Sequence, residues 1–484
     1  MNRRRFIQFA GFSLVAGSFV TSCRTSTQAR TRSDGVPIAK YRRERDQSLR
    51  LAFIGVGGRG LESMNELLGQ CAVAPDPQFV SVAALCDVDL GMLDAAALGL
   101  PNARRYRDFR QLFREMQAGS IEVDAVMIST PDHTHAIATA LALACGVPVY
   151  CEKPLTHTVS EARTIAAMAR AAGVPTQMGT QIHAGSNYRT VVELIRSGAI
   201  GEVSFADCWD GRSWCCGAET PGALPPETLD WDLWQGPTPL GAYIKDVAPA
   251  NWRRYWKYGN GTLGDMACHI LDLPFWALDL AGHTGLRAEI RADGSPLDAV
   301  GCPAALEVSW ALTWNSRPAA NDPLILRWFD GGRISPTVQE LSAKDKQDYG
   351  RFNTLFQGSK GFLFANYGEY LIIPRALASE VTVPPPTLSR PAGHQREWVD
   401  SVRAWTMDLP KGSSQTSSDF QYASRLTELV LTGTVAYRAQ APITYDFDTG
   451  AVGGAGAAKA SDLLMRASRA GWSLSQGDLT AMTR

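Results

Sequence analysis

The sequence predicts an α/β domain with a doubly wound parallel sheet, followed by an α+β domain built on half-buried strands. Three observations lead to this fold class. From residue 49 to residue 180, apolar runs of strand length alternate with helical patterns, which is typical of a parallel sheet covered by helices. Further along, runs such as 306–310 alternate apolar and polar residues, as half-buried strands do. The length of 484 residues favours two domains over one.

The composition indicates a folded protein with a small ligand. Hydrophobic residues make up 45% of the chain and charged residues 20%, the balance of a soluble globular protein. The formal net charge of -1 leaves no basic field for a phosphate backbone, so we expect no nucleic-acid partner. Cys208, Cys215 and Cys216 cluster without the spacing of a zinc site, so no metal is predicted.

Residues 1–23 resemble an export signal of the twin-arginine type. Arg3 and Arg4 precede a mildly apolar run, 9–20, that is too short to span a bilayer stably. Residues 20–23 then resemble a lipobox, which predicts lipidation of Cys23; a simple cleaved signal with a chance cysteine is the alternative. We therefore expect the protein in the periplasm or cell envelope, with a lipid anchor as its contact with the membrane.

The rest of the chain divides into four stretches. Residues 24–48 lack apolar periodicity and predict a flexible tether. Residues 49–180 form the predicted parallel domain, and residues 181–448 form the second domain, which includes a helical segment at about 394–438. Residues 449–484 read as a small-residue linker and a last helix, to which the sequence assigns no role.

A glycine-rich turn follows the first predicted strand and opens a helix. Its sequence is Gly55-Val56-Gly57-Gly58-Arg59-Gly60, the Gly-x-Gly-x-x-Gly pattern that lets backbone approach a pyrophosphate at a helix N-terminus. A structural turn is the alternative for the pattern alone. Asp87 ends the second strand, where a carboxylate binds ribose hydroxyls and repels a 2′-phosphate. Together they predict a Rossmann domain that binds NAD, with NADP disfavoured.

Polar residues also follow the next two predicted strands. Thr130-Pro131-Asp132-His133-Thr134-His135 comes after one and Glu152-Lys153-Pro154 after the other. Ligands of doubly wound sheets bind beyond the carboxyl ends of the strands, so both clusters are candidate ligand contacts. For His133 and His135, helix capping and loop solvation are the favoured alternatives to catalysis.

Together with Gly264-Asp265-Met266-Ala267-Cys268-His269, these motifs resemble the glucose-fructose oxidoreductase, inositol dehydrogenase and MocA family over residues 49–445. The resemblance implies a Rossmann domain followed by an α+β domain with a large, open-faced, mostly antiparallel sheet. One face of that sheet commonly forms an oligomer interface, which implies a homo-oligomer, a dimer or a tetramer. It also implies cofactor contacts from the glycine turn and from Thr130, Pro131, His135, Glu152 and Lys153.

The same resemblance implies a catalytic group. Lys153 would reach the nicotinamide and the reacting hydroxyl, His269 would act as general base, and Asp265 would help to position the substrate. The residues themselves allow this, because Asp265 and His269 are four apart and share one face of a helix. A lysine beside a positively charged ring should have a lowered pKa and share a proton near neutrality. The alternatives are a surface lysine, a capping aspartate and a buried structural histidine.

Candidate substrate contacts come from two further stretches. Gln181 and His183 belong to the segment 177–183, which resembles the strand by which the family crosses into its second domain. Trp252, Arg253 and Tyr258 belong to a stretch, 209–258, that holds six of the 13 tryptophans. Indole rings suit the apolar faces of sugars, although buried packing is their more common role.

Three functions are compatible with the sequence. The leading one is an NAD(P)-dependent oxidoreductase that transfers hydride between the nicotinamide and a secondary hydroxyl of a sugar, polyol or glycoside. The second is a redox-neutral, NAD-dependent glycoside hydrolase or lyase that acts through a keto-sugar; that hydrolase branch departs from Glu-Lys-Pro, which this chain keeps. The third is a non-catalytic sugar- or nucleotide-binding lipoprotein, for which Lys153 and His269 would be unnecessary.

Overall fold

The computed structural model describes residues 46–73, 80–317, 322–410, 412 and 415–483. The predicted export signal, Cys23 and nearly all of the predicted tether lie outside these residues. Within the described part of the chain, no helix has the length and apolar character that a membrane crossing requires.

The first domain is a six-stranded parallel sheet with strand order β3-β2-β1-β4-β5-β6. Its strands are β1 (Leu49–Ile54), β2 (Val80–Cys86), β3 (Arg104–Tyr106), β4 (Ala125–Ile128), β5 (Val149–Glu152) and β6 (Thr176–Gly179). The helices between them are α1 (Arg59–Ala72), α2 (Leu90–Ala96), α3 (Phe109–Gln117), α4 (Asp132–Ala144) and α5 (Val159–Ala172). The order reverses at β1, so the carboxyl ends of β1 and β4 border the crevice where such sheets bind ligands.

The second domain contains a nine-stranded mixed sheet with order β13-β12-β11-β7-β10-β9-β8-β14-β15. Its strands are β7 (Val203–Asp210), β8 (Arg287–Gly294), β9 (Leu306–Thr313), β10 (Leu324–Asp330), β11 (Thr354–Gly358), β12 (Phe362–Ala365), β13 (Tyr370–Ile373), β14 (Ile443–Asp446) and β15 (Val452–Gly453). β7 and β10 pair in parallel, and the other pairs are antiparallel. Residues along β9 alternate between buried and half-buried, as the sequence pattern predicts. The predicted fold class is confirmed.

The helices that follow the first domain serve both domains. They are α6 (Ser186–Arg196), α7 (Trp231–Gln235), α8 (Gly261–Ile270), α9 (Asp272–Ala277), α10 (Pro336–Asp345), α11 (Arg375–Glu380), α12 (His394–Thr406), α13 (Phe420–Ala439), α14 (Ala457–Leu463) and α15 (Gln476–Thr483). α12 returns to the first domain, where Trp398, Val399 and Val402 share a core with β1. α13 packs against both α5 and α8 and so links the two sheets.

Residues 449–483 contact the first domain near their C-terminal end. Trp472 meets Phe109 of α3 edge to face with the ring centroids 5.9 Å apart, and the guanidinium carbon of Arg110 lies 4.1 Å from the indole centroid. Arg469 donates to the carboxylate of Asp232 on α7, with Nη1 2.8 Å from Oδ2. The segment that the sequence left without a role therefore ties α7 to α3.

Candidate active site

A cavity of about 720 Å³, here called the cofactor cavity, opens at the carboxyl ends of β1, β2, β4 and β5. It brings together most of the residues that the sequence singled out. The predicted residues in its lining are Gly55, Gly57, Gly58, Arg59, Asp87, Thr130, Pro131, Glu152, Lys153, Gln181, Trp252, Arg253, Asp265 and His269. Nucleotide-turn residues and candidate catalytic residues thus face one continuous space.

The glycine turn is built so that side chains do not fit at two of its positions. A Cβ on Gly55, which has φ +80°, would lie 2.7 Å from the carbonyl carbon of Ser129. A Cβ on Gly60 would overlap the carbonyl oxygen of Gly55, so α1 can pack closely against β1. Gly60 itself lies outside the cavity lining, which corrects the expectation that it contacts the cofactor directly. No side chain caps the N-terminus of α1, which suits a bound pyrophosphate.

Unsatisfied polar atoms beside this turn fit a nucleotide ligand. The hydroxyls of Ser129 and Thr130 line the cavity, are buried, and have no hydrogen-bond partner among the described residues. The carboxylate of Asp87 accepts the amides of Val56 at 2.8 Å and Asp89 at 3.0 Å. Each of its oxygens keeps a free lone pair that can accept a ribose hydroxyl. The donors and acceptors that an adenine dinucleotide requires are therefore present.

The two histidines after β4 have structural positions that the sequence did not predict. Both lie within α4 and are buried, with 0% and 1% exposure for His133 and His135, so the expectation of capping and loop solvation is wrong. The ring nitrogens of His135 lie 2.7 Å from the carbonyl oxygens of Thr130 and Pro154. His135 therefore does not line the cavity; it holds together the two loops that do.

Lys153 belongs to a buried ionic cluster centred on Asp265. Its Nζ donates to Oδ1 of Asp265 at 2.8 Å and to the carbonyl oxygen of the same residue at 2.6 Å. Arg253 Nε also donates to Oδ1, at 2.7 Å, and Trp214 Nε1 donates to Oδ2 at 2.7 Å. Opposed only by burial, these two cations hold the pKa of Asp265 well below its usual range. Asp265 lies inside α8, so it does not cap that helix.

His269 lies one turn after Asp265 on α8 and lines the same cavity. Its Nδ1 is buried and has no hydrogen-bond partner among the described residues. Two effects lower the pKa of His269 well below its ordinary value: burial is the larger, and the nearby Lys153 ammonium is the next. The imidazole is thus neutral at physiological pH, the form that accepts a proton.

Asp132 and Trp214 are candidate functional residues that the sequence reasoning did not select. Asp132 is 3% exposed, lines the cavity, and has a pKa raised to about 8 by burial, which Arg253 and Lys153 oppose. Its position in the polar cluster after β4 was a feature of the sequence that could have identified Asp132 as a candidate. Trp214 reaches Asp265 from 51 positions away in the chain, a contact that no local pattern announces.

Two predicted substrate contacts lie away from the cavity. His183 is fully buried, with Nδ1 2.8 Å from the carboxylate of Asp272 and its ring stacked on Trp276. Tyr258 is also fully buried and packs among the rings of His133 and Trp234. Neither lines the cofactor cavity, so both predictions are corrected to packing roles.

The far wall of the cavity comes from residues 226–253. Leu229 forms a β-bridge with Asp89, just beyond β2, and Arg107 donates to the carbonyl of Thr228 at 3.2 Å. Trp234 and Trp252 are the two tryptophans of the tryptophan-rich stretch that line the cavity. This segment therefore closes the nucleotide side of the cavity and supplies apolar rings to it.

Solved structures of similar fold contain nicotinamide cofactors. An inositol dehydrogenase homologue of Azotobacter vinelandii, solved with NADH and myo-inositol, has a TM-score of 0.53 at 16% identity, covering 83% of this chain and 98% of that one. The WlbA dehydrogenase of Bordetella pertussis, solved with NADH and UDP-GlcNAcA, has a TM-score of 0.54 at 16% identity, covering 82% and 98%. At these identities the likeness shows the fold.

Relatives by sequence include dehydrogenases and glycosidases. An inositol 2-dehydrogenase of Leifsonia xyli is 33% identical over 153 residues, which cover 31% of this chain and 42% of that protein. A glycosyl hydrolase family 109 protein of Shewanella pealeana is 27% identical over 211 residues, which cover 42% of this chain and 44% of that protein. The matched regions span less than half the length of these relatives.

Two family models match the chain. One describes an oxidoreductase family with an NAD-binding Rossmann fold and matches residues 49–180. The other describes the C-terminal alpha/beta domain of the same oxidoreductase family and matches residues 198–312. Together they span slightly more than half of the 484 residues. The chain belongs to the Gfo/Idh/MocA oxidoreductase family, and its first domain is an NAD-binding Rossmann domain.

Proposed function

We propose that the protein is an oxidoreductase that transfers hydride between NAD and a secondary hydroxyl of a sugar, polyol or glycoside. One observation carries this proposal: the glycine turn and the Lys153, Asp265 and His269 side chains line the same cavity. Bound NAD supplies the hydride acceptor. Trp234 and Trp252 line that cavity and add apolar indole surface, which suits the apolar parts of a sugar.

The protein's own groups would manage the proton. His269 would take the proton of the reacting hydroxyl, because it lines the cavity and its Nδ1 has no partner among the described residues. Lys153, ion-paired with Asp265, donates a hydrogen bond to the hydroxyl oxygen and stabilises negative charge that develops there. Asp265 fixes Lys153 and Arg253 in place through its two charge-assisted bonds.

A redox-neutral glycoside hydrolase or lyase is the second candidate. The glycosyl hydrolase family 109 relative supports this candidate. Its matched region of 211 residues is longer than the 153 residues matched in the inositol 2-dehydrogenase. Such an enzyme would oxidise a ring hydroxyl to a ketone, with the hydride passing to NAD, and remove a proton from the acidified neighbouring carbon as the glycosidic group leaves the next carbon. A hydrolase would then add water across the resulting double bond and return the hydride to the ketone, whereas a lyase would keep the double bond. This chain keeps Glu152-Lys153-Pro154, from which that hydrolase branch departs, and this difference favours the oxidoreductase.

A panel of sugars, polyols and glycosides distinguishes the two candidates. Purified protein is incubated with each compound and NAD, and the products are analysed as ketones or as released free sugars. Ketone formation with stoichiometric NADH supports the oxidoreductase, and free sugar without net NADH supports the hydrolase. Absence of both products across the panel, with NAD bound, would leave the non-catalytic binding protein as the better description.

Two lysine-to-methionine variants test whether product formation depends on Lys153. Lys153→Met should lower the rate of product formation by about 10² to 10⁴-fold, because the ammonium is lost from the cavity. Lys344→Met is the matched control, since Lys344 is an exposed residue of α10 outside the cavity lining. Equal activity of both variants would refute the role given to Lys153.

We propose from the sequence that the protein is exported by the twin-arginine route and lipidated at Cys23. Replacing Arg3 and Arg4 with lysine should leave the precursor in the cytoplasm. Cys23→Ala should release the exported protein from the membrane fraction. A Cys23→Ala protein that stays membrane-bound would show that lipidation is not the anchor. Since free NAD is scarce outside the cytoplasm, export also favours a cofactor bound before translocation.

A further inference from the structure

We propose that a second cavity, of about 270 Å³, binds a phosphate group or a chemically similar oxyanion. This anion cavity lies between the start of α5, the end of α13, the turn that leads into α8, and residues 462–467. The lining residues that carry the proposal are His157, Trp256, Lys257, Thr434, Arg438 and Arg466. They do not belong to the cofactor cavity.

Arg438 is the first reason to expect an anion. It occupies the last turn of α13, is half-buried, and has neither an ion pair nor a side-chain hydrogen bond within the described part of the chain. Its observed contact is with an indole, the guanidinium carbon lying 5.0 Å from the ring centroid of Trp256. Burial lowers the pKa of this arginine, the sign of a cation without compensation. Partial removal of a charge from water without an ionic partner costs free energy, so an external anionic partner is favoured.

Lys257 adds a second cation to the same wall. Its Nζ lies 3.4 Å from Oε1 of Gln235, a neutral amide oxygen that also accepts the amide of Gly241. No carboxylate of the described residues lies within ion-pair distance of it. Burial lowers the pKa of Lys257 as well, and the more distant carboxylate of Glu219 opposes this effect. The cavity therefore presents two cations that have no ion pair among the described residues.

Unused donors accompany these charges. Arg466 is paired with Glu161 at 2.7 Å, but its Nη1 is buried and has no partner among the described residues. The hydroxyl of Thr434, on a side chain 4% exposed, is also unsatisfied there. Nε2 of His157 lies 3.3 Å from the carbonyl oxygen of Gly259 and donates to it, so the unsatisfied Nδ1 of the neutral ring is an acceptor that suits the hydroxyl of a monohydrogen phosphate. Donors beside cations are the arrangement that binds an oxyanion through charge-assisted hydrogen bonds.

One carboxylate belongs to the lining, and it does not cancel this charge. Asp462 is exposed to solvent and forms no ion pair within the described residues, so water screens it more than the buried cations. With Arg466 neutralised by Glu161, the described lining keeps a net positive charge. Leu431, Val435 and Met465 also line the cavity, and its volume exceeds that of a bare phosphate. A phosphate carried on a small organic body therefore fits best.

The test uses NAD-loaded full-length protein, so that the nucleotide site is already filled. Calorimetric titration with inorganic phosphate, and separately with a hexose phosphate, is compared with sodium chloride at matched ionic strength. We expect both phosphates to bind and to raise the thermal midpoint, because they bind the folded state. Tighter binding of the hexose phosphate would identify the organic body as part of the ligand.

Arg438→Met and Lys257→Met should each weaken phosphate binding by about tenfold or more, because each removes a charge-assisted contact. Arg375→Met is the matched control, since Arg375 is an exposed residue of α11 far from this lining in the chain. Bound NAD and circular dichroism verify that the variants fold. Phosphate binding that does not exceed the chloride effect, or that survives in both cavity variants, would overturn the proposal.

Discussion

In the cofactor cavity every lining cation has a carboxylate within ion-pair distance, whereas in the anion cavity Arg438 and Lys257 have none among the described residues. Lys153 and Arg253 share Asp265 at 2.8 and 2.7 Å. The other two cations of the cofactor cavity, Arg59 and Arg212, pair with Glu66 and Asp210. The first cavity is thus neutralised by the protein itself.

This difference indicates what each cavity is suited to bind. Internal neutralisation fixes the position of Lys153 and leaves the cavity able to accept a neutral polyhydroxyl compound beside a cofactor. Uncompensated cations instead favour a ligand that brings its own negative charge. Variants that change the charge in one cavity should therefore alter turnover and stability differently from variants that change the charge in the other.

The largest effect is expected on turnover. His269→Ala and Lys153→Met should each lower turnover by about 10² to 10⁴-fold while NAD stays bound, because acid-base groups contribute rate rather than cofactor affinity. If both groups act on one hydroxyl, the double variant should be little slower than either single one. Turnover at saturating substrate, bound NAD and the thermal midpoint are measured for each variant.

A purely structural His269 would give another pattern. Stability and bound NAD would then fall together with activity. A His269→Ala enzyme that keeps near-normal turnover would end the proposed role of this residue. The Lys344→Met control should match the wild-type enzyme in all three measurements.

The second effect concerns stability. Asp265→Asn removes the charge that two buried cations share, and should lower the free energy of unfolding at neutral pH by about 3 kcal/mol. The folded-state pKa of Asp265 is depressed, so its contribution is present above the unfolded value of about 4 and is lost as the pH falls below it. Because this loss only begins near pH 4, denaturant unfolding at pH 7 and at about pH 2 measures it. A difference between wild type and variant that is the same at both pH values would contradict the ionic role.

The third effect should have the opposite sign. Arg438→Met removes a cation that has no partner, so in phosphate-free buffer it should raise the free energy of unfolding by about 1 kcal/mol. In saturating phosphate the gain should vanish, because only the wild-type protein then gains from the ligand. Denaturant unfolding with and without phosphate checks both statements. Destabilisation of Arg438→Met in phosphate-free buffer would show that Arg438 is already compensated.

The sequence predicted features that depend on short segments. The turn at Gly55 and Gly60 and the carboxylate of Asp87 follow from strand, turn and helix signals in neighbouring positions. The shared helical face of Asp265 and His269 follows from their spacing alone. Such features depend on the geometry of short segments, and a single sequence is enough to predict that geometry.

The sequence analysis missed or misplaced features that depend on contacts between residues far apart in the chain. His183 was expected at the substrate, but its partner Asp272 lies 89 positions away and holds it in the core. Lys153 meets Asp265 across 112 positions, and the sequence named both residues without predicting their ion pair. The anion cavity combines segments from residue 157 to residue 467. Only the folded chain shows which of these cations remain unpaired.

The smallest expected effect concerns the choice of cofactor and tests charge exclusion in the first cavity. Burial raises the pKa of Asp87, while the amides of Asp89 and Val56 favour its charged form. Its charge should repel the 2′-phosphate of NADP, whereas the cations of the anion cavity should attract phosphate. Asp87→Ser should therefore shift the NADP-to-NAD ratio of dissociation constants by about fivefold toward NADP, which corresponds to roughly 1 kcal/mol of removed repulsion. Competitive titration of the cofactor-free protein measures the ratio. An Asp87→Ser protein that excludes NADP as strongly as the wild type would show that shape, not charge, decides cofactor choice in this cavity.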